Sequence, residues 1–458
     1  MRGGCLITVV VLVGCDCYSM RPGGPDEPGL EGRDAASGED ARPPDAGADA
    51  SPRDASQTGD AGGDGGVAVS DPIRLDEGDY AHHPRVAMDA DANAAVVWAQ
   101  TDGVVARRWQ ADVGWTDAEA LGPGDEARVD LNARGEGVAL WRDMGGAATH
   151  ARMWAPGAGW LVDDEIGPGD GPGEIVIDGS GNAVAVFNWG YAGERVESAR
   201  YEPATGWTGS SPVEPEGVVA RMAVVAGNER GDVVGVWTHL LGEGESLWSA
   251  RWEDGAWPPS TQVGSQDLIA YPRVAVDGAG NAFAVWPNYD YYGGGPAIWT
   301  SRQEPGGDFG EPEYLGAGDG TISVAVAAAS DGTAFAAWES GTDVVAARWE
   351  PVGGWGEIQN LDGRPGKTDL YEAIEVAADD AGGARVVWSQ DEEGGLGIWS
   401  SRYRAGEGWL DPLRVDPSEE GDASWPDVDV APDGTAAVVW QLARARDEME
   451  IWGAILAP

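Results

Sequence analysis

A chain of 458 residues with a formal net charge of −49 and 42% hydrophobic residues can bury a large core. Its surface is the wrong sign for nucleic acid or anionic lipid, which are bound through Lys and Arg; about −42 of the charge falls after Asp71, and the only lysine is Lys367. Cys5, Cys15 and Cys17 all lie at the N-terminus, so no disulfide framework can staple the remainder and packing must stabilise it.

Residues 1–14 carry one Arg, an apolar run of about eight residues and a small residue before Cys15. That run is too short to span a bilayer as a helix and predicts an export signal. Leu12-Val13-Gly14-Cys15 resembles the lipobox of bacterial lipoproteins. The resemblance implies cleavage before Cys15 and acylation of Cys15, which would anchor the chain in a membrane of the cell envelope, on its periplasmic face or at the cell surface. Residues 15–69 are mostly Asp, Ala, Gly, Pro, Ser and Arg, with Tyr18 as the sole aromatic residue. Such a segment cannot bury enough apolar area to offset the entropy of ordering, and a disordered acidic tether is expected.

From residue 70 to 458 an apolar run closing on an aromatic anchor returns at Trp98, Trp141, Phe187, Trp237, Trp286, Trp338, Trp388 and Trp440, at intervals of 43 to 52 residues. Each unit carries four short β signals. The first, such as Arg273-Val274-Ala275-Val276, leads through an Asp/Gly/Asn turn to the anchor run, such as Ala334-Phe335-Ala336-Ala337-Trp338. A variable loop precedes the third, such as Ile398-Trp399-Ser400-Ser401-Arg402-Tyr403. A Gly-Trp pair and a fourth strand, such as Asp411-Pro412-Leu413-Arg414-Val415, complete the unit. Four-stranded units with periodic aromatic and glycine positions predict an all-β fold, a β-propeller. Eight anchors predict eight blades, or seven should the short second and third units pack irregularly. The last unit lacks a fourth strand, and an orphan one, Asp71-Pro72-Ile73-Arg74-Leu75, precedes the first. The N-terminal strand is therefore expected to complete the last blade.

The chemistry-bearing positions are few. An arginine recurs on the third strand (Arg107, Arg152, Arg200, Arg251, Arg302, Arg348, Arg402), as a structural ladder stacked on aromatic rings and paired to acids. Asp89, Asp91 and Asn93 alternate oxygen ligands as calcium loops do, although they lack an EF-hand's glycine and distal glutamate and a plain hairpin turn is the better account; weak calcium binding there is the one cofactor considered. The loop containing Asn288, Tyr289, Asp290, Tyr291 and Tyr292 breaks the repeat and is a candidate ligand loop. His82 and His83, ahead of Pro84, read as a solvated loop. Trp189 and Trp425 fall outside the repeat scheme. No nucleophile, zinc-protease or P-loop motif is present, and no catalytic residue is assigned.

The repeat resembles those of bacterial secreted and lipoprotein β-propellers, and distantly the Asp-box propellers of sialidases. The Asp-box spacing is not met, since Trp338 follows Asp331-Gly332 by several residues too many, and no sialidase catalytic set can be matched. The expectation is a monomeric, membrane-tethered, extracytoplasmic binding propeller that recognises a glycan or an envelope or extracellular protein. The competing expectations are a sialidase-like glycoside hydrolase or lyase, and a structural component of an envelope complex.

Overall fold

The computed structural model describes residues 71–458, apart from 79, 146–147, 170, 172, 190–194, 242–243, 266–268, 270, 289–295, 319–322, 364–373, 393–394, 417–420 and 446–447. The expected signal, Cys15 and the tether lie outside the described residues, as do Tyr289, Asp290, Tyr291 and Tyr292.

Eight antiparallel sheets form, one for each anchor, and the second and third units make regular blades. The innermost strands are His82–Met88, Asp125–Leu131, Gly173–Ile177, Ala220–Gly227, Arg273–Val276, Val324–Ala328, Ile374–Ala378 and Asp422–Val430. Neighbouring inner strands touch all the way round, and the last touches the first. The chain is thus an eight-bladed β-propeller with a central channel. The ring closes through Ile73–Arg74, which adds to Glu448–Leu456 with Ile73 opposite Gly453 and Arg74 opposite Trp452. Leu75 N–H donates to the Ile451 carbonyl at 2.7 Å, and Ile451 N–H donates to Asp76 Oδ1 at 2.7 Å. Leu75 is fully buried beside Trp98, Val439 and Ile451. Closure removes the open edges that a linear array of strands would expose.

The core lies between blades. Phe335 and Ala337 of blade six share one apolar cluster with Val376, Val386 and Trp388 of blade seven. All eight anchors are at most 2% exposed. A glycine on the outer edge of the preceding blade makes room for several of them. A Cβ at Gly316 would stand 2.7 Å from the Trp338 ring, and one at Gly264 3.1 Å from Trp286, so any larger residue there must push the blades apart.

The third-strand arginines bind the blades together as a ladder. Arg200 lies 5.9 Å from the Trp252 ring, Arg302 5.7 Å from Trp349 and Arg348 5.1 Å from Tyr403, each ring belonging to the following blade. Arg152 Nη1 donates to the Leu121 carbonyl of the blade before. The Gly-Trp pairs give a second repeated contact. Trp115, Trp160, Trp207, Trp355 and Trp409 sit on the aromatic residue ending their own third strand, with ring centres 5.5–5.8 Å apart.

Candidate functional site

Each inner strand runs from one mouth of the channel to a hairpin turn at the other. Register places the residue opposite the one preceding each anchor at the same height in every blade. Around the ring these are Arg85, Arg128, Glu174, Val224, Arg273, Ala325, Glu375 and Asp427. Three guanidinium groups and three carboxylates share this belt, and their formal charges balance. Arg128 Nε donates to Glu174 Oε1 at 3.0 Å. Burial raises the Glu375 carboxyl against the pull of Arg273, and raises Asp427 against Arg85. Glu375 also feels Asp427, Arg85 and Glu174, so the belt acts across the channel as well as between neighbours.

The channel-facing edge of an inner strand has amides that no further strand pairs. Carboxylates from the preceding blade take them. Asp427 Oδ2 accepts Val86 N–H at 2.8 Å, Asp429 Oδ2 accepts Met88 N–H at 2.7 Å and Asp130 Oδ2 accepts Ile177 N–H at 2.8 Å. Burial pushes Asp130 up to about 7 and Asp429 up to about 6, the nearby Asp429 charge adding to the effect at Asp130. These acids clamp one blade to the next, so their perturbed titration has a structural cause and does not by itself mark catalysis.

At the other mouth, two residues before the belt, inner strands carry a left-handed bulge. His83 (φ 52°), Glu126 (φ 52°), Met222 (φ 55°), Tyr271 (φ 45°) and Trp425 (φ 53°) all occupy it. Bulky residues enter that region only where the surrounding structure imposes it. The bulges of blades eight, one and two gather an aromatic and ionic cluster. His83 meets Trp425 at 4.5 Å and His82 at 4.8 Å between ring centres, and His82 meets Tyr80 at 5.3 Å. His82 Nε2 is 3.4 Å from Asp125 Oδ1, and Arg142 Nη2 is 3.0 Å from Glu126 Oε1. Burial, with His82 and Arg85 alongside, pushes the His83 imidazole down to about 3. The hydrogen bond from His82 holds Asp125 well below the usual carboxylate range. Among the described residues, His82, His83 and Asp125 form a cluster whose ligand atoms all lie within 4.8 Å of one another. The solvated loop expected at His82 and His83 is therefore corrected. They lie on the first inner strand and are half-buried, because the bulge turns the chain into the ring.

A separate groove of about 290 Å³ opens between blades three and four on the hairpin-turn side. Trp252 and Arg200 line it together with Asp178, Asn228 and Asp254. Gly227, Gly231 and Gly255 supply three walls without side chains. At Gly255, where φ is +83°, a Cβ would stand 2.9 Å from Arg200 Nη1, so this wall must stay bare. The volume is near the lower bound of small-molecule sites, about 300 Å³.

The residues singled out by sequence are scattered. Asp89 caps its own turn: Oδ1 accepts the Asp91 and Asn93 backbone N–H groups at 3.0 and 2.9 Å, and Oδ2 accepts Asn93 Nδ2–H at 2.9 Å. Asp178 and Asp277 do the same in their blades, which is the geometry of a hairpin turn. Asn288 ends the second strand of blade five, opposite Ala297 and bridged to Ile269, on the same side as the bulged mouth. Trp425, off-pattern in sequence, belongs to the mouth. Trp189, also off-pattern, is 36% exposed and carries Arg195 over its ring at 5.3 Å. The belt acids and arginines were missed as a group. Their one signal is that an inner-strand position apolar in a sandwich is charged in six units of eight.

No family model matches the sequence, and no curated protein matches it. Among solved structures it resembles a lectin from Burkholderia pseudomallei, at 11% identity and a TM-score of 0.54 over 74% of this chain and 100% of the lectin. It also resembles a fungal lectin from Aleuria aurantia, described as a six-bladed β-propeller that recognises fucose, at 13% identity and a TM-score of 0.40 over 72% and 95% of the two chains. A puromycin hydrolase aligns at 16% identity and a TM-score of 0.44 over 81% of this chain. The chain spans 51% of the length of that hydrolase. These are likenesses of fold.

Proposed function

We propose that the protein is a carbohydrate-binding propeller, tethered through Cys15 to the cell envelope outside the cytoplasm. The observation that carries the reading is the groove between blades three and four. Sugar recognition needs an aromatic face for the C–H side of the ring and charged or amide groups for its hydroxyls. Trp252 supplies the first, and Arg200, Asp254 and Asn228 supply the second, in a cleft the size of one sugar unit. An aromatic ring in contact contributes roughly 0.5–1.5 kcal/mol beyond its buried area. The channel acids Asp130, Asp427 and Asp429 accept backbone amides from the neighbouring blade and Glu174 pairs with Arg128, structural roles that favour binding over hydrolysis. A solved neighbour of the same fold is named as a lectin. The tether rests on Leu12-Val13-Gly14-Cys15 and the acidic spacer behind it.

A glycan array probed with the full chain tests the reading. Hits on one sugar class that fall at least tenfold in Trp252→Ala and in Arg200→Ala support it. A silent array, or hits that both variants retain, overturns the groove as the site and leaves the envelope-protein scaffold as the better account. Palmitate labelling in cells, lost in Cys15→Ser, tests the anchor.

A further inference from the structure

The cluster at the bulged mouth lies on the opposite side of the ring from the groove, and sugar recognition makes no use of it. Its hydrogen-bond pattern is unusual. His82 Nδ1 is 3.1 Å from the Tyr80 carbonyl oxygen. A carbonyl only accepts, so Nδ1 donates there; Nε2 then carries a lone pair in the neutral ring and a second proton in the imidazolium. Yet Nε2 faces Asp125 Oδ1 at 3.4 Å. Two kinds of cation can occupy this gap: the proton of an imidazolium, as in the hydrogen bond to Asp125 described above, or a metal ion. A proton would make His82 an imidazolium and would satisfy this pair alone. It would make no use of the His83 ring nitrogen, which lies within 4.8 Å of both other ligand atoms.

We propose that His82 Nε2, a ring nitrogen of His83 and a carboxylate oxygen of Asp125 form a binding site for one divalent transition-metal ion of the zinc or cobalt class. Two ligands held about 2.05 Å from a tetrahedral ion stand about 3.3 Å apart, and the His82–Asp125 pair is already at 3.4 Å. The remaining ligand atom needs only to close from within 4.8 Å, a side-chain rotation. The outer contacts are those of a metal-binding histidine: Nδ1–H on a backbone carbonyl fixes the tautomer and aims Nε2 inward. Glu126 N–H donates to Asp125 Oδ1 at 2.6 Å and orients the carboxylate. Imidazole and carboxylate together select zinc-class ions over calcium, which prefers six to eight oxygens. Three protein ligands leave a tetrahedral ion one open position, suited to water or to an oxygen donor on a molecule at the mouth.

Titrating the chelator-stripped full chain with Zn²⁺ by calorimetry, and with Co²⁺ by visible absorption, tests the site. One equivalent of each ion should bind, with no matching signal for Ca²⁺. Affinity should fall at least tenfold in His82→Ala, in Asp125→Asn and in His83→Asn, the last chosen because asparagine tolerates left-handed backbone. His150→Ala should change nothing. Should a mouth variant fail to fold, diethyl pyrocarbonate labelling of the unmutated protein gives the same answer: Zn²⁺ should protect His82 and His83 and leave His150 reactive. No stoichiometric binding, or binding that survives these substitutions without protection of His82 and His83, would overturn the proposal and leave a proton as the shared cation.

Discussion

Relative to the wild type, Asp130→Asn should gain stability as pH rises from 3 to 8. In the folded chain Asp130 keeps its proton up to about 7, against 3.8 when unperturbed. Between those values the folded state binds more protons than the unfolded one, so stability falls as pH rises through the window, the reverse of the usual salt-bridged aspartate. A shift of that size corresponds to an upper bound of ~4 kcal/mol. The side chain is only half-buried, and screening by channel solvent reduces the expected effect to roughly 1–2 kcal/mol. Asparagine is close in shape to the protonated acid, and its carbonyl can still accept Ile177 N–H, while the Leu131 N–H that Oδ1 accepts at 2.9 Å loses its partner at every pH alike. The assay is guanidinium unfolding of both proteins at several pH values between 3 and 8. The difference between the two cancels every other titrating group that the substitution does not touch. It should be least favourable to the variant at the acid end and grow in its favour toward pH 8. A difference independent of pH, or one that favours the wild type increasingly toward pH 8, would refute the account of Asp130 as a desolvated clamp.

Three other outcomes follow from the packing. Leu75→Ala should cost about 2–5 kcal/mol, because it empties a fully buried position in the strand that closes the ring; a lowered unfolding midpoint and earlier proteolysis near either terminus are the readouts. Gly316→Ala should cost about 1–3 kcal/mol by overpacking, since its new Cβ meets the Trp338 ring at 2.7 Å, and near-ultraviolet circular dichroism should register the displaced indole. Trp338→Ala should cost about 3–5 kcal/mol, with the loss of a fully buried ring whose Nε1–H donates to the Ala317 carbonyl at 3.0 Å; its thermal midpoint should fall further than that of Gly316→Ala.

The number of blades, the order of strands within each and the closure by Ile73–Arg74 could all be read from the sequence. Each depends on spacing within some fifty residues or on a comparison of the two ends of the folded region. The third-strand arginines were legible as a ladder for the same reason: a feature repeated in nearly every unit must serve something that every unit shares. Tertiary structure alone decided what the channel and its mouth contain. Arg85, Glu174, Glu375 and Asp427 come from four blades and share a belt because equal heights on inner strands converge at the axis. His82 and His83 meet Asp125, some forty residues on, because each blade turns its bulged strand start to the same mouth. Spacing along the chain carries no record of distance around a closed ring. A histidine pair before a proline therefore reads as a loop until the ring places an aspartate and a tryptophan beside it.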